Sequence, residues 1–361
     1  MGNKLFTPIQ AGAITLTNRI VMAPMTRSRA TENNIPTDIM AEYYAQRADA
    51  GLIITEGTSP SPNGVGYSRI PGIYNDEQVA GWKKITDAIH EKGSHIFIQL
   101  MHTGRVSHIS NLPAGAEVLA PSAITGKGQI YSDTAGMMEQ TVPRAMTTEE
   151  VKFAINEYVQ AAKNAILAGF DGVEFHAANG YLIEQFINPG TNNRADEYGG
   201  SVEARANFLL EIVTKAIAAI GKDKIGVRFS PYGVFNDMPA YDEVDETYVY
   251  LAGKLNGLGI LYVHVLDHSP MGAPAVPQPI KDSIRATFIN KLILCGGFDK
   301  ESAEAALENG SADLIAFGRP YVSNPDLALR LETGAEISQP DFTTLYTAGI
   351  NGYIDYPFLQ Q

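Results

Sequence analysis

The sequence predicts an α/β protein whose strands close into a (β/α)8 (TIM) barrel, and two observations lead to this prediction. Eight short apolar runs rich in β-branched residues are continuous rather than alternating, as expected of parallel strands buried on both faces. Helical patterns separate these runs, so that strand and helix alternate along the chain. The eight runs span residues 18–24, 51–58, 95–102, 172–178, 225–231, 261–267, 291–297 and 312–319.

Four of the helical patterns have recognisable ends. One begins with an acidic turn and ends at Gly93, a residue type common after helix C-termini. Another begins with Thr147 and Glu150, which have the spacing of an N-terminal capping box. The four patterns span residues 76–93, 147–170, 201–221 and 299–310.

Two further features complete the predicted architecture. Residues 6–19 have the pattern of a small hairpin that seals the bottom of the barrel. Residues 103–143, rich in Gly, Pro and Ser, separate the third strand from its helix, and long loops at barrel tops often build active sites. A doubly wound open sheet is the alternative, but no Gly-x-Gly-x-x-Gly motif follows the first strand. The chain has neither an internal repeat nor a linker, so we expect residues 1–361 to form a single domain.

Composition excludes several classes of function. With a formal net charge of −13, the surface repels phosphate backbones and anionic lipid heads, so neither nucleic acid nor a membrane is an expected partner. The single cysteine, Cys295, has no partner for an internal disulfide and excludes a cysteine-ligated cluster. No His/Asp cluster has clear ligand spacing, so no metal is predicted. The N-terminus lacks the apolar core of a signal peptide and no apolar run reaches about 18 residues, which predicts a cytoplasmic protein.

The ends of the last two predicted strands indicate a phosphate site. Gly296 and Gly297 follow the seventh strand, and Gly318 and Arg319 follow the eighth. Loops at these two places form the usual phosphate site of a barrel, where backbone N–H groups and a helix N-terminus face the anion. The alternative is that the glycines only turn the chain.

The fourth strand is followed by the strongest chemical signal. His176, Asn179 and Tyr181 are close enough in sequence to reach one small volume, and two such donors suit a carbonyl or phenolate oxygen. A tyrosine is protonated at pH 7, so Tyr181 is a candidate general acid. The alternative is that these side chains cap a turn and pack. Gln99 and Arg228 lie inside apolar strands, where either a ligand or a core network must satisfy them.

With these residues in view, the chain resembles the Old Yellow Enzyme family of FMN-dependent ene-reductases over nearly its whole length. The most specific stretches are "EFHAANGYLIEQF" with "NNRADEYGGS", and "IQLMHTGR", "VRFSP" and "CGGFDKESAEAALENGSADLIAFGRPYVSNPDL" support them. Within the family, the bacterial N-ethylmaleimide and nitrate-ester reductases and the plant 12-oxophytodienoate reductases are the most similar.

The resemblance implies a tightly bound, non-covalent FMN, NAD(P)H as the reductant, and reduction of the activated C=C bond of α,β-unsaturated carbonyl compounds, with nitro compounds and nitrate esters as further substrates. His176 and Asn179 would hold the substrate oxygen, and Tyr181 would supply a proton. Relatives occur as monomers and homodimers. The residues implied to contact FMN are Pro24, Met25, Thr26, Gly57, Gln99, Arg228, Gly296, Gly297, Gly318 and Arg319. Those implied to line the substrate cavity with His176 and Asn179 are Tyr67, Met101 and Tyr346.

One departure from the family concerns the substrate cavity. Several relatives have a tryptophan where this chain has Met101, and the smaller, more pliable side chain implies a roomier cavity.

Two other functions compete with this interpretation. A flavin-free phosphate-binding barrel enzyme, such as an aldolase or isomerase, would be colourless and would carry a lysine or paired carboxylates at its strand ends. A protein that binds FMN or another ligand without turnover would not need His176, Asn179 or Tyr181 for any oxidation of NAD(P)H.

Overall fold

Each of the eight predicted apolar runs contains one strand of a closed parallel barrel. The computed structural model describes residues 3–359. Barrel strands pair in chain order, and the last strand closes against the first, which confirms the predicted fold. The strands are β1 (Ile9–Ala11), β2 (Ile14–Leu16), β3 (Ile20–Met22), β4 (Leu52–Thr58), β5 (Ile96–Leu100), β6 (Leu119–Ala120), β7 (Gln129–Ser132), β8 (Gly136–Glu139), β9 (Arg144–Ala145), β10 (Gly172–Ala177), β11 (Ile225–Phe229), β12 (Tyr262–Leu266), β13 (Lys291–Cys295) and β14 (Leu314–Phe317).

Helices pack around the barrel with their apolar faces inward. Thr147 and Glu150 form the predicted capping box, since each side chain accepts the backbone N–H of the other residue. The helices are α1 (Asp38–Gln46), α2 (Asp76–His90), α3 (Thr148–Leu167), α4 (Leu182–Ile187), α5 (Val202–Ile220), α6 (Val244–Leu258), α7 (Gln278–Thr287), α8 (Lys300–Glu308), α9 (Arg319–Ser323) and α10 (Leu327–Thr333). None of the helices within residues 3–359 has the length and apolarity needed to cross a membrane.

The two ends of the barrel are covered by different segments. Strands β1 and β2 form the predicted antiparallel hairpin, and its Leu16 packs with Phe97 and Leu261 in one apolar cluster. The predicted excursion after β5 carries two small sheets, β6 with β9 and β7 with β8. Its Ile130 packs against Met101. The hairpin therefore covers the barrel end where the strands begin, and the excursion covers the end where they finish.

Asp171 links two histidines just before β10. Its carboxylate lies 3.0 Å from Nε2 of His90 and 3.3 Å from Nδ1 of His95, and it accepts the backbone N–H of Ile96 at 2.8 Å. Burial alone would raise the pKa of Asp171, but the bonds from His95, Ile96 and His90 outweigh it and lower the pKa. The hydrogen bond to Asp171 raises the pKa of His95. The Asp171–His95 pair is therefore charged between the two pKa values.

We expect Asp171→Asn to lower the free energy of unfolding by about 1 kcal/mol at pH 5.5. The carboxylate stabilises the fold above about pH 4 and loses this effect as pH falls through its lowered pKa. Protonated His95 stabilises the fold below about pH 6.5 and loses this effect as pH rises through its raised pKa. Urea unfolding at pH 3, 5.5 and 9 should therefore give the largest difference at pH 5.5.

The control is Asp87→Asn, which breaks an exposed ion pair with Lys83 at 2.8 Å. An exposed pair of this kind contributes little, so the change should be smaller. An equal loss in both variants at every pH would contradict the assigned role of Asp171.

Candidate active site

The ends of the barrel strands gather the predicted catalytic residues. His176 is the penultimate residue of β10 and lies beside Arg228 of β11 in the parallel register. The chain then turns back, so that the Tyr181 ring lies edge-on to the His176 ring with centroids 4.9 Å apart. The Tyr181 hydroxyl is 3.1 Å from the Tyr67 hydroxyl. Strand β10, the turn after it and the loop after β4 thus meet at one place.

The turn between β10 and α4 presents the side chain of Asn179. Its φ of +60° lies in the left-handed region, which asparagine tolerates better than most residues. The N–H of Asn179 donates to Oγ of Ser230 at 2.9 Å, and its carbonyl oxygen accepts from Nδ2 of Asn236 at 2.7 Å. Neighbouring side chains therefore bind the backbone of Asn179, and its own amide group is not needed to cap the turn.

Three buried polar atoms here have no hydrogen-bond partner within residues 3–359, namely Nδ1 of His176, Oδ1 of Asn179 and Nε of Arg228. Such groups are costly in a dry interior, so each is a position where a ligand can bind. The Asn179 amide can present either its oxygen or its NH2 group to a ligand, because a half turn about its terminal C–C bond exchanges the two groups. Nη2 of Arg228 donates to Sγ of Cys295 at 3.7 Å, and a thiol sulfur is a weak acceptor.

The protonation states suit polarisation of an oxygen and proton donation. Burial, with the charge of Arg228 second, lowers the pKa of His176 well below 6.5, so the imidazole is neutral and keeps one N–H donor. Burial raises the pKa of Tyr181 and also that of Tyr67, so both phenols are protonated at neutral pH. The site therefore combines a neutral donor with a phenolic acid.

A polar network occupies the barrel interior beneath these groups. The carboxylate of Glu174 is fully buried, accepts from Nε2 of Gln99 at 2.8 Å and lies 2.9 Å from Nδ1 of His264. The sequence left two explanations for the buried Gln99 and Arg228, a core network or a ligand. The core network accounts for the NH2 group of Gln99, which binds Glu174. It does not account for Arg228, whose Nε has no partner within residues 3–359. Sequence reasoning missed the role of Glu174, although a carboxylate inside an apolar run was a signal for it.

Gly57 and Met101 shape the wall of the site. A Cβ at Gly57 would lie 2.5 Å from Sδ of Met101, so a glycine at this position makes room for the methionine. Strand β4 also shifts register between Ile54 and Gly57, which redirects its last residues. Met101 is buried and packs in the same apolar cluster as Tyr181.

Tyr346 lies at the rim of the site, with 61 % of its surface exposed. Its carbonyl oxygen accepts from Nη2 of Arg69 at 2.8 Å. Arg29 holds the same segment by donating to the carbonyl oxygens of Leu345 at 2.7 Å and of Thr344 at 2.9 Å. Sequence reasoning missed Arg29, because its partner Thr344 lies 315 residues further along the chain.

The segment after β3 carries Pro24, Met25 and Thr26. Sδ of Met25 lies 3.7 Å from the position of a Cβ on Gly318, so the loops after the first and last barrel strands are neighbours. Pro24 is buried, and Met25 and Thr26 are partly exposed.

The two glycines after β13 have backbones that other residues avoid. Gly296 has a φ of +135° and Gly297 a φ of +69°. A Cβ at Gly296 would lie 2.3 Å from the carbonyl oxygen of Asp267. Arg319 begins α9, is exposed, and its Nη2 lies 3.5 Å from the carbonyl oxygen of Pro270.

No group of three or more His, Cys, Asp or Glu side chains in the described part of the chain is arranged to hold a metal ion.

The barrel carries hydrogen-bond donors and a phenol at the ends of its strands, which is the face where barrel enzymes have their active sites. The sequence profile of the NADH:flavin oxidoreductase / NADH oxidase family matches residues 4–337. The chain belongs to this family, and the resemblance to the Old Yellow Enzyme group is confirmed.

Three proteins are similar to this chain over nearly its whole length. A probable flavin mononucleotide-dependent alkene reductase from Leishmania infantum is 41% identical, covering 98% of this chain and 97% of that protein. Morphinone reductase is 42% identical with a TM-score of 0.95, covering 98% and 96% of the two chains, and its complex with tetrahydroNAD matches with a TM-score of 0.94. The Old Yellow Enzyme homologue from Zymomonas mobilis is 42% identical with a TM-score of 0.95, covering 99% and 100%.

Proposed function

We propose that this protein uses FMN and NAD(P)H to reduce the activated C=C bond of α,β-unsaturated carbonyl compounds, and also nitro compounds and nitrate esters. The observation that carries the proposal is the group formed by His176, Asn179 and Tyr181. His176 and Asn179 each have a buried polar atom with no hydrogen-bond partner within residues 3–359. Tyr181 is a phenol whose raised pKa keeps it protonated. Family membership supports the cofactor and the reductant.

The residues around the site fit FMN. Arg228 is a buried cation with an unpaired Nε within residues 3–359, which suits the oxygen- and nitrogen-rich edge of a flavin ring. Bound FMN would supply the hydride chemistry that links a reduced nicotinamide to an alkene carbon. The residues that would contact the ring are Pro24, Met25, Thr26, Gly57, Gln99 and Arg228. Those that would hold the phosphate are Gly296, Gly297, Gly318 and Arg319.

The protein's own groups orient and polarise the substrate. His176 and Asn179 donate hydrogen bonds to the carbonyl or nitro oxygen, which stabilises the negative charge that develops there. Tyr181 donates its phenolic proton to the α carbon. Tyr67 and Tyr346 contact the remainder of the substrate, and Met101 sets the depth of the cavity.

An absorbance spectrum of the purified protein, recorded without oxygen, tests this proposal. We expect a flavin band that bleaches when NAD(P)H is added and returns when 2-cyclohexenone follows. A colourless protein that cannot be reconstituted with FMN would instead favour the flavin-free barrel enzyme. A band that bleaches but does not return with an enone or a nitro compound would favour a flavoprotein without this activity.

The phosphate assignment predicts that Gly296→Ala weakens FMN binding by at least about tenfold, because the loop must move away from Asp267. Titration of the apoprotein with FMN, followed by flavin fluorescence, measures the dissociation constant. The control is Gly310→Ala, where φ is +80° and no described atom lies within 4 Å of the added Cβ. Equal FMN affinity in the two variants would contradict the assignment.

A further inference from the structure

Glu184 lies behind the turn that carries Asn179 and Tyr181, and the function proposed above gives it no role. It belongs to the first turn of α4, and its side chain is buried, with 4 % of its surface exposed. A buried carboxyl group needs hydrogen-bond donors. Its surroundings supply three, from Gly180, Ser230 and Tyr248.

The first two donors connect Glu184 to the backbone of the turn. The N–H of Gly180 donates to Oε2 of Glu184 at 2.5 Å. The hydroxyl of Ser230 donates to Oε1 at 3.0 Å and accepts the N–H of Asn179 at 2.9 Å. A hydroxyl group has one proton. Because the Ser230 oxygen accepts the N–H of Asn179, the Ser230 proton is donated to Glu184 instead. The carboxyl group thus binds two successive N–H groups of the turn, one directly and one through Ser230.

The neighbouring residue, Gln185, binds the opposite side of the turn. Its Nε2 donates to the carbonyl oxygen of Gly180 at 2.7 Å and to that of Thr103 at 3.0 Å. Its Oε1 accepts the N–H of Arg105 at 3.0 Å. The peptide groups on both sides of Gly180 are therefore bound to buried side chains of α4.

The turn needs such support because its backbone is unfavourable. Asn179 and Gly180 are consecutive residues with φ of +60° and +76°, and a non-glycine residue in this region is strained. Without bonds to its N–H groups the turn can relax, and the side chains of Asn179 and Tyr181 then change direction.

We propose that Glu184, acting directly and through Ser230, is a positioning residue that holds Asn179 and Tyr181 in the geometry required for substrate binding and proton donation. This inference rests on the function proposed above, which assigns substrate binding to Asn179 and proton donation to Tyr181. A residue that only caps α4 would affect stability and leave ligand affinity unchanged, so the two possibilities differ in a measurable way.

The test compares Ser230→Ala with Tyr248→Phe in the FMN-loaded enzyme. Ser230→Ala removes the acceptor for the N–H of Asn179. Tyr248→Phe removes a hydrogen bond of 2.9 Å to the same oxygen of Glu184, and Tyr248 belongs to α6 rather than to the turn. The measurements are the dissociation constant of a phenol, followed by the flavin absorbance, and the rate at which saturating 2-cyclohexenone reoxidises the reduced enzyme.

For Ser230→Ala we expect about tenfold weaker phenol binding and about tenfold slower reoxidation, the size of one lost buried hydrogen bond. For Tyr248→Phe we expect changes below about twofold in both quantities. Glu184→Gln keeps the size of the side chain and one acceptor oxygen, and we expect it to change both quantities in the same direction as Ser230→Ala. This variant keeps the proposal testable if Ser230→Ala does not fold.

Two results would overturn the inference. One is wild-type phenol affinity and reoxidation rate in both Ser230→Ala and Glu184→Gln. The other is equal losses in Ser230→Ala and Tyr248→Phe, because loosening of the pocket around Glu184 would then explain the effect. If the wild-type enzyme itself fails to reoxidise with any enone, the proposed function fails instead, so the two failures are distinguishable.

Discussion

Tyr181→Phe is expected to slow reoxidation of the reduced enzyme by an enone by about 100-fold to 10,000-fold, the range of general acid catalysis. Reduction of the enzyme by NAD(P)H needs no proton from Tyr181 and should keep its rate. The substitution retains the ring that packs edge-on against His176 and removes the hydroxyl alone. Stopped-flow measurement of the two half-reactions under anaerobic conditions separates these effects.

Tyr67→Phe is the matched control. It also removes the 3.1 Å hydrogen bond between the Tyr67 and Tyr181 hydroxyls, but it leaves the Tyr181 hydroxyl in place. Its reoxidation rate should fall by less than about tenfold. Equal slowing of both half-reactions in Tyr181→Phe would rule out the assignment of Tyr181 as proton donor.

The double variant His176→Ala, Asn179→Ala should bind a phenol about 100-fold more weakly, because two hydrogen bonds to the ligand oxygen are lost. Reoxidation by an enone should also slow, since the charge developing on the carbonyl oxygen is no longer stabilised. Titration followed by flavin absorbance gives the affinity, and each single variant should account for part of the loss.

The flavin content and melting temperature of the double variant serve as controls. The flavin content should stay close to the wild-type value, because Nδ1 of His176 and Oδ1 of Asn179 make no hydrogen bond within residues 3–359 that the substitutions would break. The melting temperature should fall by a few degrees, because alanine tolerates the φ of +60° at position 179 less well than asparagine does. Unchanged phenol affinity would mean that the ligand oxygen binds elsewhere.

The sequence predicted the barrel well because its local signals agree with the fold. Continuous apolar runs mark strands buried on both faces, and the Thr147–Glu150 spacing marks the start of α3. It also predicted that His176, Asn179 and Tyr181 lie close together, because one strand end and one turn carry all three.

The supporting contacts of the site could not be read in the same way. Ser230 and Asn236 bind the backbone of Asn179 from the segment that follows β11, and only tertiary pairing brings them there. Arg29 and its carbonyl partners lie at opposite ends of the chain. Glu184 has the spacing of an ordinary polar residue on a helix, and nothing in the local pattern shows that it is buried.

The left-handed backbone of Asn179 has a consequence for saturation mutagenesis at this position. A φ of +60° is tolerated by Gly, Asp and His as well as Asn, whereas β-branched side chains clash with the backbone there. A library sorted only for folded protein would lose Val, Ile and Thr before any catalytic screen is applied. The set of amino acids open to directed evolution at position 179 is therefore limited by the shape of the turn as well as by the substrate.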